Sequence, residues 1–404
     1  MRVLHLAARY YPAVDGTTTV IQNVSEKLVS LFGDEVTVFT TTAVGQLADL
    51  QAERLKPGEV ILNGVRVKRF SFFNAWAPYL EKAYRLSVRA RLPFGDYIQA
   101  LYKGPIAWDM IPEIARHQAD VVFGSCFPYL HMYYADMLKC VHRMPVVYSG
   151  ALHLADGPVS GLVLTTIRRA SAYIAYTSYE RDYLVRCGID GAKIHVVGPG
   201  VDSAPFETAD GRTFRARHGL NDVPVVAFIG RQASGKGIDT LLYAMRVVWE
   251  TMPEARLVIA GSRFDFSDRL EEIVAEFEPQ ERQRIVFVND FDEQEKAEIY
   301  AACDLLVAAS RSESFGIVYL EAWASGKPVI GCRIGAVASV IEDGWDGLLV
   351  PYGDVGALAQ AILRMLSDQA LRVQMGDRGR RKVLPNYTWD NVALRFREVY
   401  RSVM

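Results

Sequence analysis

The sequence predicts an α/β fold of two doubly wound, parallel-sheet domains. Its 404 residues are too many for one ordinary hydrophobic core, and two domains of nearly equal size are the usual solution. Short runs rich in Val and Ile alternate with longer helix-like segments along the chain. These runs do not alternate strictly between apolar and polar residues, which is typical of parallel strands buried on both faces. Strands of this kind separated by helices predict doubly wound sheets.

Thirteen apolar runs are predicted to be strands. In the first half they are Val3–Ala7, Val36–Thr40, Val65–Phe70, Val121–Gly124, Val146–Tyr148, Tyr173–Tyr176 and Ile194–Val197. In the second half they are Val225–Ile229, Leu257–Ala260, Ile285–Val288, Leu305–Ala308, Val329–Gly331 and Leu348–Val350. A turn cluster at Gly198–Asp202 follows the seventh run, so we place the first domain at 1–200 and the second at 201–385. A linker is expected through about Asn221.

The last segment, 386–404, is predicted to be an amphipathic helix. Apolar residues recur there at helical spacing, namely Trp389, Val392, Phe396 and Tyr400. The pattern leaves two packings open. The helix either crosses back to the first domain or stays on its own domain.

Composition excludes several classes of protein. The net charge is −2, with a net of +4 in residues 1–200 and −6 in the rest, so there is no general attraction to nucleic acid. The five cysteines are widely spaced and form no Cys-x-x-Cys pair, which favours buried thiols in a reducing compartment over a disulfide framework or metal site. No signal peptide and no apolar run of membrane-spanning length are recognised. We therefore expect a cytoplasmic protein.

The segment Gly230–Gly237 follows a predicted strand and precedes a helix. It nearly matches a Walker A loop, but Gly237 stands where Ser or Thr is needed to bind magnesium, which argues against a nucleotide hydrolase. We interpret Arg231 and Lys236 as two cations at the carboxyl end of a parallel strand, where they would neutralise a diphosphate without a metal. The alternative is an ordinary solvated loop.

A second motif runs from Ser310 to Ala322 and contains two glutamates, Glu313 and Glu321, that bracket seven residues. A helix beginning near Phe315 would present the free backbone N–H groups of Phe315, Gly316 and Ile317, which favour a phosphate. Glu313 precedes this helix, and Glu321 lies within roughly 12 Å along it. A phosphate flanked by two carboxylates suits a ligand that contains a phosphate and sugar hydroxyls.

Two further features are weaker on their own. Gly16 lies in a loop between the first strand and a helix, where the absence of a side chain lets the backbone approach a ligand. His153 follows a predicted strand of the first domain and could transfer protons near neutral pH, or it could be an ordinary loop residue. The chain has no Gly-x-Gly-x-x-Gly fingerprint, which argues against a nicotinamide cofactor.

Residues 70–108 interleave aromatic and basic side chains. The candidates for recognising an acceptor are Trp76, Tyr84, Arg85 and Arg89. This composition suits an anionic amphiphile or peripheral contact with a membrane surface. It equally suits a helix pair packed on the first sheet with a solvated basic face. If the membrane is contacted, we expect contact at its cytoplasmic face.

Taken together, the motifs resemble the retaining glycosyltransferases of family 4, which have the GT-B fold of two Rossmann-like domains facing a central cleft. The resemblance covers essentially the whole chain and rests on five segments. They are Pro12…Gly16, Tyr173–Tyr183, Gly198–Asp202, Gly230–Leu242 and Ser310–Ala322, with Gly326–Ile330 and Gly347–Val350 in support. It implies a metal-independent enzyme that moves a sugar from a nucleotide-diphosphate sugar, such as a UDP- or GDP-sugar, to a glycan, lipid-linked or small-molecule acceptor.

The family's site roles carry over by position. Arg231 and Lys236 would hold the diphosphate, supported by Gly16 and by the backbone of Ser314, Phe315, Gly316 and Ile317. Glu321 would bind the ribose. Glu313 would face the transferred sugar, and His153 would lie near its reactive face. No cofactor is implied.

The sequence departs from the family pattern at two places. Asp15 replaces the first glycine of the usual Gly-Gly pair, and Ser339 stands where the family often has Glu. The second departure puts the contacts to the donor sugar in doubt. Two alternatives to a transferase stay open: a nucleotide-sugar epimerase of the same fold, and a nucleotide-sugar-binding protein without transferase activity.

Overall fold

The computed structural model describes residues 1–13, 15–45, 47, 53–137, 144–154 and 157–404. The chain folds into two compact units. The first contains Met1–Leu152, Gly157–Pro199 and Trp389–Met404, and the second contains Gly200–Thr388 together with His153 and Leu154. Cys140 lies outside the described residues.

The first unit is built on one sheet. Its strands are β1 (Arg2–Ala7), β2 (Glu35–Thr41), β3 (Gly58–Leu62), β4 (Val65–Phe70), β5 (Val121–Ser125), β6 (Val146–Ser149), β7 (Ala172–Ala175) and β8 (Ile194–Val196). The strand order is β3-β4-β2-β1-β5-β6-β7-β8, and every neighbouring pair is parallel except β3 with β4. The chain leaves β1 towards β2 and later returns on the other side at β5. The carboxyl ends of β1 and β5 therefore form the point where the strand order reverses.

Among the described residues of this unit, seven α-helices lie between its strands. They are α1 (Gly16–Phe32), α2 (Ala77–Arg89), α3 (Gly95–Lys103), α4 (Met110–Arg116), α5 (His131–Met137), α6 (Gly161–Arg169) and α7 (Ser178–Arg186). β5, β6 and β7 are buried along their whole length, as strands covered by helices on both faces must be.

The second unit has a fully parallel sheet. Its strands are β9 (Val225–Ile229), β10 (Arg256–Ala260), β11 (Ile285–Val288), β12 (Leu305–Ala308), β13 (Val329–Cys332) and β14 (Gly347–Val350), in the order β11-β10-β9-β12-β13-β14. The order reverses between β9 and β12. The two loops that carry the predicted diphosphate motifs therefore leave the sheet side by side.

Helices of the second unit cover both faces of this sheet. They are α8 (Ser203–Thr208), α9 (Gly211–Arg217), α10 (Ile238–Thr251), α11 (Ser267–Ala275), α12 (Pro279–Arg282), α13 (Glu293–Ala302), α14 (Ile317–Ala324), α15 (Gly335–Ala338), α16 (Val355–Ser367) and α17 (Gln369–Asn386). The core between α10, α16 and the sheet is apolar, with Met245, Trp249 and Met365 almost fully buried. None of the helices in the described part of the chain is long and apolar enough to cross a bilayer.

The last helix, α18 (Trp389–Ser402), packs in the first unit against α1. Phe396 contacts Phe123 edge to face, and Arg397 forms an ion pair with buried Asp34 through contacts of 2.8 and 3.2 Å. The Tyr400 hydroxyl lies 3.1 Å from Nε2 of His5, whose other ring nitrogen contacts Ser25. Of the two packings that the sequence left open, the structure has the helix on the first unit.

All thirteen predicted strands are present, and three details differ from expectation. β3 was not predicted, because this short edge strand is largely exposed and has no apolar face long enough to be recognised. The expected linker before Asn221 instead holds α8 and α9, whose Phe206 and Phe214 are buried. The terminal helix begins at Trp389 and not at 386.

Candidate functional site

The loops after β9 and β12 touch each other through their backbones. The N–H of Arg311 donates to the carbonyl of Gly235 (2.7 Å). Gly237 has a φ of 71° and lies so close to Ala309 that a Cβ atom would stand 2.1 Å from the Ala309 carbonyl oxygen. Glycine is required there on both counts. The contact brings the two predicted motifs into one surface.

Lys236 and Glu313 form an ion pair at this surface. Nζ of Lys236 donates to Oε1 of Glu313 (2.5 Å), and the Ser310 hydroxyl donates to the same oxygen (2.9 Å). Both side chains are only partly buried, so the pair remains accessible from solvent. An anionic ligand at this position would share the Lys236 ammonium with Glu313, while the second Glu313 oxygen could accept hydrogen bonds from hydroxyls.

Helix α14 begins directly after this pair. Gly316 is its N-terminal cap, with a φ of 94° and no capping side chain, so the first turn keeps backbone N–H groups without intrahelical acceptors. A Cβ on Gly316 would stand 2.4 Å from the Tyr319 ring. Phe315 is buried against Tyr387 at 5.6 Å between ring centroids. Helix α14 begins at Ile317, two residues after the predicted start near Phe315, and Ser314, Phe315 and Gly316 lead into a helix terminus whose free N–H groups suit an anion.

Glu321 lies one turn further along α14 and is 8 % exposed. Lys296 donates to its Oε1 (2.9 Å), and the Tyr300 hydroxyl donates to its Oε2 (2.7 Å). Burial alone would lower the pKa of Lys296, but the carboxylates of Glu321 and Glu293 raise it above its usual value. Burial and Glu321 together raise the pKa of Tyr300. The Glu321 carboxylate is therefore held in one orientation by two donors from α13.

Arg231 is placed differently from Lys236. Its side chain is exposed, and its guanidinium lies over the Phe264 ring at 4.8 Å from the centroid. Beside it, the Gln232 side chain is buried and donates to Asn289 (2.7 Å). The backbone of this loop is held by Gln232, and the Arg231 side chain is not in contact with the Lys236–Glu313 pair.

His153 belongs to the second unit, not to the first domain where the sequence placed it. Its Nδ1 lies 3.3 Å from the Ser312 hydroxyl, and its side chain is exposed. Ser312 immediately precedes Glu313. His153 therefore contacts the residue next to Glu313, the other residue predicted to face the transferred sugar.

At the carboxyl end of β1, Asp15 caps α1. Its carboxylate accepts hydrogen bonds from the N–H groups of Thr17 and Thr18 and forms an ion pair with Arg9 (2.9 Å). Burial would raise the pKa of Asp15, but Arg9 and these hydrogen bonds lower it overall. The Asp15 side chain thus occupies the N–H groups of Thr17 and Thr18 at the start of α1, beside Gly16.

The four acceptor candidates do not form one cluster. Tyr84 stacks on Tyr102 and accepts a hydrogen bond from Gln99 (3.1 Å). Arg85 pairs with Glu81 (2.6 Å), and Arg89 is exposed on the same side of α2. Trp76 precedes α2, is 59 % exposed, and lies nine residues from Arg85, which places the two on opposite sides of the helix axis.

After β13, at the position where the family often has Glu, this chain has Ser339 and offers no carboxylate. Ser339 ends the short helix α15, and its hydroxyl donates to the carbonyl of Ala336 (2.7 Å). In the described ranges, no three His, Cys, Asp or Glu side chains converge in a way that could hold a metal ion.

Two family models match the chain. The model described as Glycosyltransferase Family 4 matches residues 14–204, and the model described as Glycosyl transferases group 1 matches residues 210–382. Together they include Gly16, His153, the loop Gly230–Gly237 and the motif Ser310–Ala322. The chain belongs to the family 4 glycosyltransferases.

Individual proteins agree with this membership. A D-inositol 3-phosphate glycosyltransferase of Streptomyces avermitilis is 32 % identical over 283 residues, which cover 66 % of this chain and 60 % of that protein. The chain thus spans less than two thirds of that relative's length. Among solved structures, sucrose-phosphate synthase of Thermosynechococcus elongatus has a TM-score of 0.75 at 23 % identity, covering 100 % of this chain and 98 % of its own.

A second solved structure supports the same fold. HepE of Anabaena in complex with UDP and glucose has a TM-score of 0.75 at 19 % identity, covering 100 % of both chains. At these identities the likeness shows the fold alone, and it confirms the GT-B class predicted from the sequence for this family 4 glycosyltransferase.

Some residues of the site were not predicted. Lys296 is 25 residues from Glu321, and Tyr300 lies in the apolar end of α13, Ile299–Ala302, where a tyrosine is expected to be part of the core. A fully buried glutamate, Glu180, was noted only as part of a motif, although it bonds to the Tyr173 hydroxyl (2.6 Å) in the first unit. No local pattern reveals the contacts to Glu321, because they depend on how α13 and α14 pack in the folded protein.

Proposed function

We propose that this protein transfers a sugar from a nucleotide-diphosphate sugar to an acceptor, with retained anomeric configuration and without a metal ion. The observation that carries the proposal is the Lys236–Glu313 pair at the start of α14, where the strand order of a parallel sheet reverses. Ligands of such sheets bind at this point. An ammonium, a helix N-terminus and a carboxylate side by side match a diphosphate joined to a sugar.

The difficult step is cleavage of the bond between the sugar and the diphosphate, because negative charge builds on the leaving group. Lys236 and the N–H groups of α14 would stabilise that charge as fixed donors, which is the role that a metal plays elsewhere. Arg231 would join them by leaving the Phe264 ring. Glu313 would accept hydrogen bonds from the sugar hydroxyls, and His153 would lie beside it through Ser312.

The nucleotide half of the donor is assigned to Glu321. Its carboxylate is oriented by Lys296 and Tyr300, and further lone pairs remain for the two ribose hydroxyls. We favour UDP as the nucleotide because the neighbour HepE is described with UDP, and GDP is the second choice.

The acceptor is proposed as a glycan, a lipid-linked sugar or a small molecule. Among small molecules we test a cyclitol phosphate first, because the relative from Streptomyces is named for D-inositol 3-phosphate. The alternatives are an epimerase, which would change the donor sugar with no acceptor, and a binding protein, which would bind the donor without turnover.

A donor panel tests the proposal. Thermal shifts with UDP-, GDP-, ADP- and dTDP-sugars select the nucleotide, and the selected donor is then incubated alone and with each acceptor class. The proposal predicts release of nucleoside diphosphate and a glycosylated product only when acceptor is present. An isomerised sugar from donor alone would establish the epimerase instead, and binding without product across the acceptor classes would favour the binding protein.

We also propose that α2 and α3 contact an anionic membrane surface peripherally, on the cytoplasmic side. Three exposed apolar residues, Tyr79, Ala83 and Leu86, share one face of α2 at spacings of four and three. Beside them Lys82, Arg85 and Arg89 form an exposed basic row. Apolar side chains flanked by cations suit a headgroup layer with negative charge.

Vesicle flotation tests this contact. We expect the protein to float with vesicles of phosphatidylcholine and phosphatidylglycerol but not with phosphatidylcholine alone, and high salt should release it. The pair Tyr79→Ser and Leu86→Ser should weaken flotation about tenfold or more. The matched control carries Leu31→Ser and Val185→Ser, which replace two exposed apolar residues on α1 and α7. Equal flotation of both variants would overturn the assignment of the surface.

A further inference from the structure

A buried carboxylate in the first unit holds the backbone segment that leads into His153. Glu180 lies in the first turn of α7 and is 1 % exposed. The Tyr173 hydroxyl donates to its Oε1 (2.6 Å), and the N–H of Tyr176 donates to its Oε2 (2.8 Å). The backbone N–H of Leu152 also donates to this carboxylate.

The same network reaches the other end of the segment. The N–H of Gly150 donates to the Tyr173 hydroxyl (2.9 Å), so Gly150 and Leu152 are both held by a group of two side chains. A Cβ on Gly150 would stand 2.2 Å from that hydroxyl, which leaves room only for glycine. The segment is therefore fastened on both sides of Ala151.

Ala151 needs this support because its backbone is strained. Its φ is 47°, in the left-handed region that a residue with a Cβ seldom adopts. Such a conformation persists only where the surroundings impose it, and it is common next to functional groups. Two residues later the chain reaches His153.

The cost of burying Glu180 argues for a purpose beyond packing. Its partners are a hydroxyl and backbone N–H groups, none of them a cation, and burial raises the pKa of Glu180 to about 7. An apolar side chain would fill the same space without this cost. It would not, however, offer two acceptor oxygens to a hydroxyl and two N–H groups at once.

We propose that Glu180 and Tyr173 are positioning residues that hold Gly150–Leu152 so that His153 is presented to the reacting sugar. The inference rests on the proposed function for the role of His153. The anchoring of the segment can be measured without any turnover.

Tyr173→Phe tests the inference, because it removes one oxygen and little volume. The matched control is Tyr183→Phe, since the Tyr183 hydroxyl likewise accepts a backbone N–H, that of Val159 (3.0 Å), but does not touch the segment. Glu180→Leu and Glu180→Gln complete the set, and Gln retains an acceptor oxygen.

Two readouts are combined. Hydrogen exchange of the Gly150 and Leu152 amides should quicken about tenfold or more in Tyr173→Phe and Glu180→Leu, less in Glu180→Gln, and not in Tyr183→Phe. In the transfer assay, kcat should fall about tenfold in the first two variants, with partial recovery in Glu180→Gln. The affinity for nucleoside diphosphate should stay unchanged, because that ligand is assigned to the second unit.

The outcomes separate the two claims. Faster exchange with an unchanged kcat would overturn the positioning role, and unchanged exchange in Tyr173→Phe would overturn the anchor itself. If the wild-type protein transfers no sugar, the proposed function fails. The exchange data then decide the anchor by themselves.

Discussion

The carboxylates to which we assign roles have opposite surroundings in the two units. In the second unit, Glu313 and Glu321 each face a lysine ammonium, Lys236 or Lys296, and Glu313 stays partly accessible to solvent while Glu321 is 8 % exposed. In the first unit, Glu180 is fully buried and is bonded only to a tyrosine hydroxyl and backbone N–H groups. The first arrangement has a cation at each carboxylate, and the second has none.

This difference separates ligand binding from positioning. A carboxylate balanced by a lysine can exchange partners with an incoming ligand, because the lysine compensates whichever anion is present. A buried carboxylate without a cation cannot meet a ligand, but it can fix the backbone around it. Charge-changing substitutions in the second unit should therefore affect ligand binding and activity. Those in the first unit should affect the order of the Gly150–Leu152 segment and the pH dependence of the free energy of unfolding.

The largest effect is expected at Lys236. Lys236→Ala removes the cation of the proposed diphosphate site, and transfer should fall by about 10²–10³, as when a fixed donor to developing charge is removed. Arg282→Ala, an exposed cation of the same unit, is the control and should remain active. Initial rates and far-ultraviolet circular dichroism are measured for both. A folded Lys236→Ala protein with wild-type rates would contradict the assignment of Lys236 to the diphosphate.

The next effect concerns Lys296. Lys296→Met leaves Glu321 nearly buried with Tyr300 as its remaining donor, and the free energy of unfolding should fall by about 3 kcal/mol. Adding Glu321→Gln removes the uncompensated charge and should restore part of the loss. Urea denaturation of the two single variants and the double variant measures the coupling. If the losses of unfolding free energy in the two single variants simply add in the double variant, the interaction between Lys296 and Glu321 contributes nothing to stability.

A smaller, pH-dependent effect is expected at Glu180. The folded protein holds the Glu180 proton more tightly than the unfolded chain, since burial raises its pKa from 4.5 to about 7. The stabilisation of the folded protein by protonated Glu180 is therefore present at low pH and is lost as pH rises through about 7. Between pH 5.5 and pH 8, wild type should lose about 2 kcal/mol more unfolding free energy than Glu180→Gln. Parallel stability profiles for the two proteins would argue against the buried carboxylate.

No effect is expected from a chelator. Because the proposal assigns the compensating positive charge to Lys236 and the helix terminus, transfer rates should be the same with and without EDTA, and added Mg²⁺ should not raise them. Loss of activity in EDTA that Mg²⁺ restores would mean that a metal, and not Lys236, compensates most of the negative charge on the leaving diphosphate.

The sequence predicted the fold more fully than the site. Buried strands such as Val225–Ile229 are recognisable because both faces are apolar, whereas the exposed edge strand Gly58–Leu62 has no such pattern. The motif residues Lys236 and Glu313 were predicted, but their direct contact was not. Lys296 and the Gly150–Leu152 anchor depend on tertiary register. A single sequence does not reveal that register. The exposed position of Arg231 over the Phe264 ring could not be predicted from the sequence either.

Calorimetric titration with UDP tests the central claim most directly, because it asks only whether Lys236 holds a nucleoside diphosphate. The account predicts one site per chain for wild type and for Arg282→Ala, and binding at least tenfold weaker for Lys236→Ala. GDP is titrated in parallel in case the base differs. Equal affinity of wild type and Lys236→Ala for the diphosphate that binds, or no binding of either nucleotide to the wild-type protein, would contradict it.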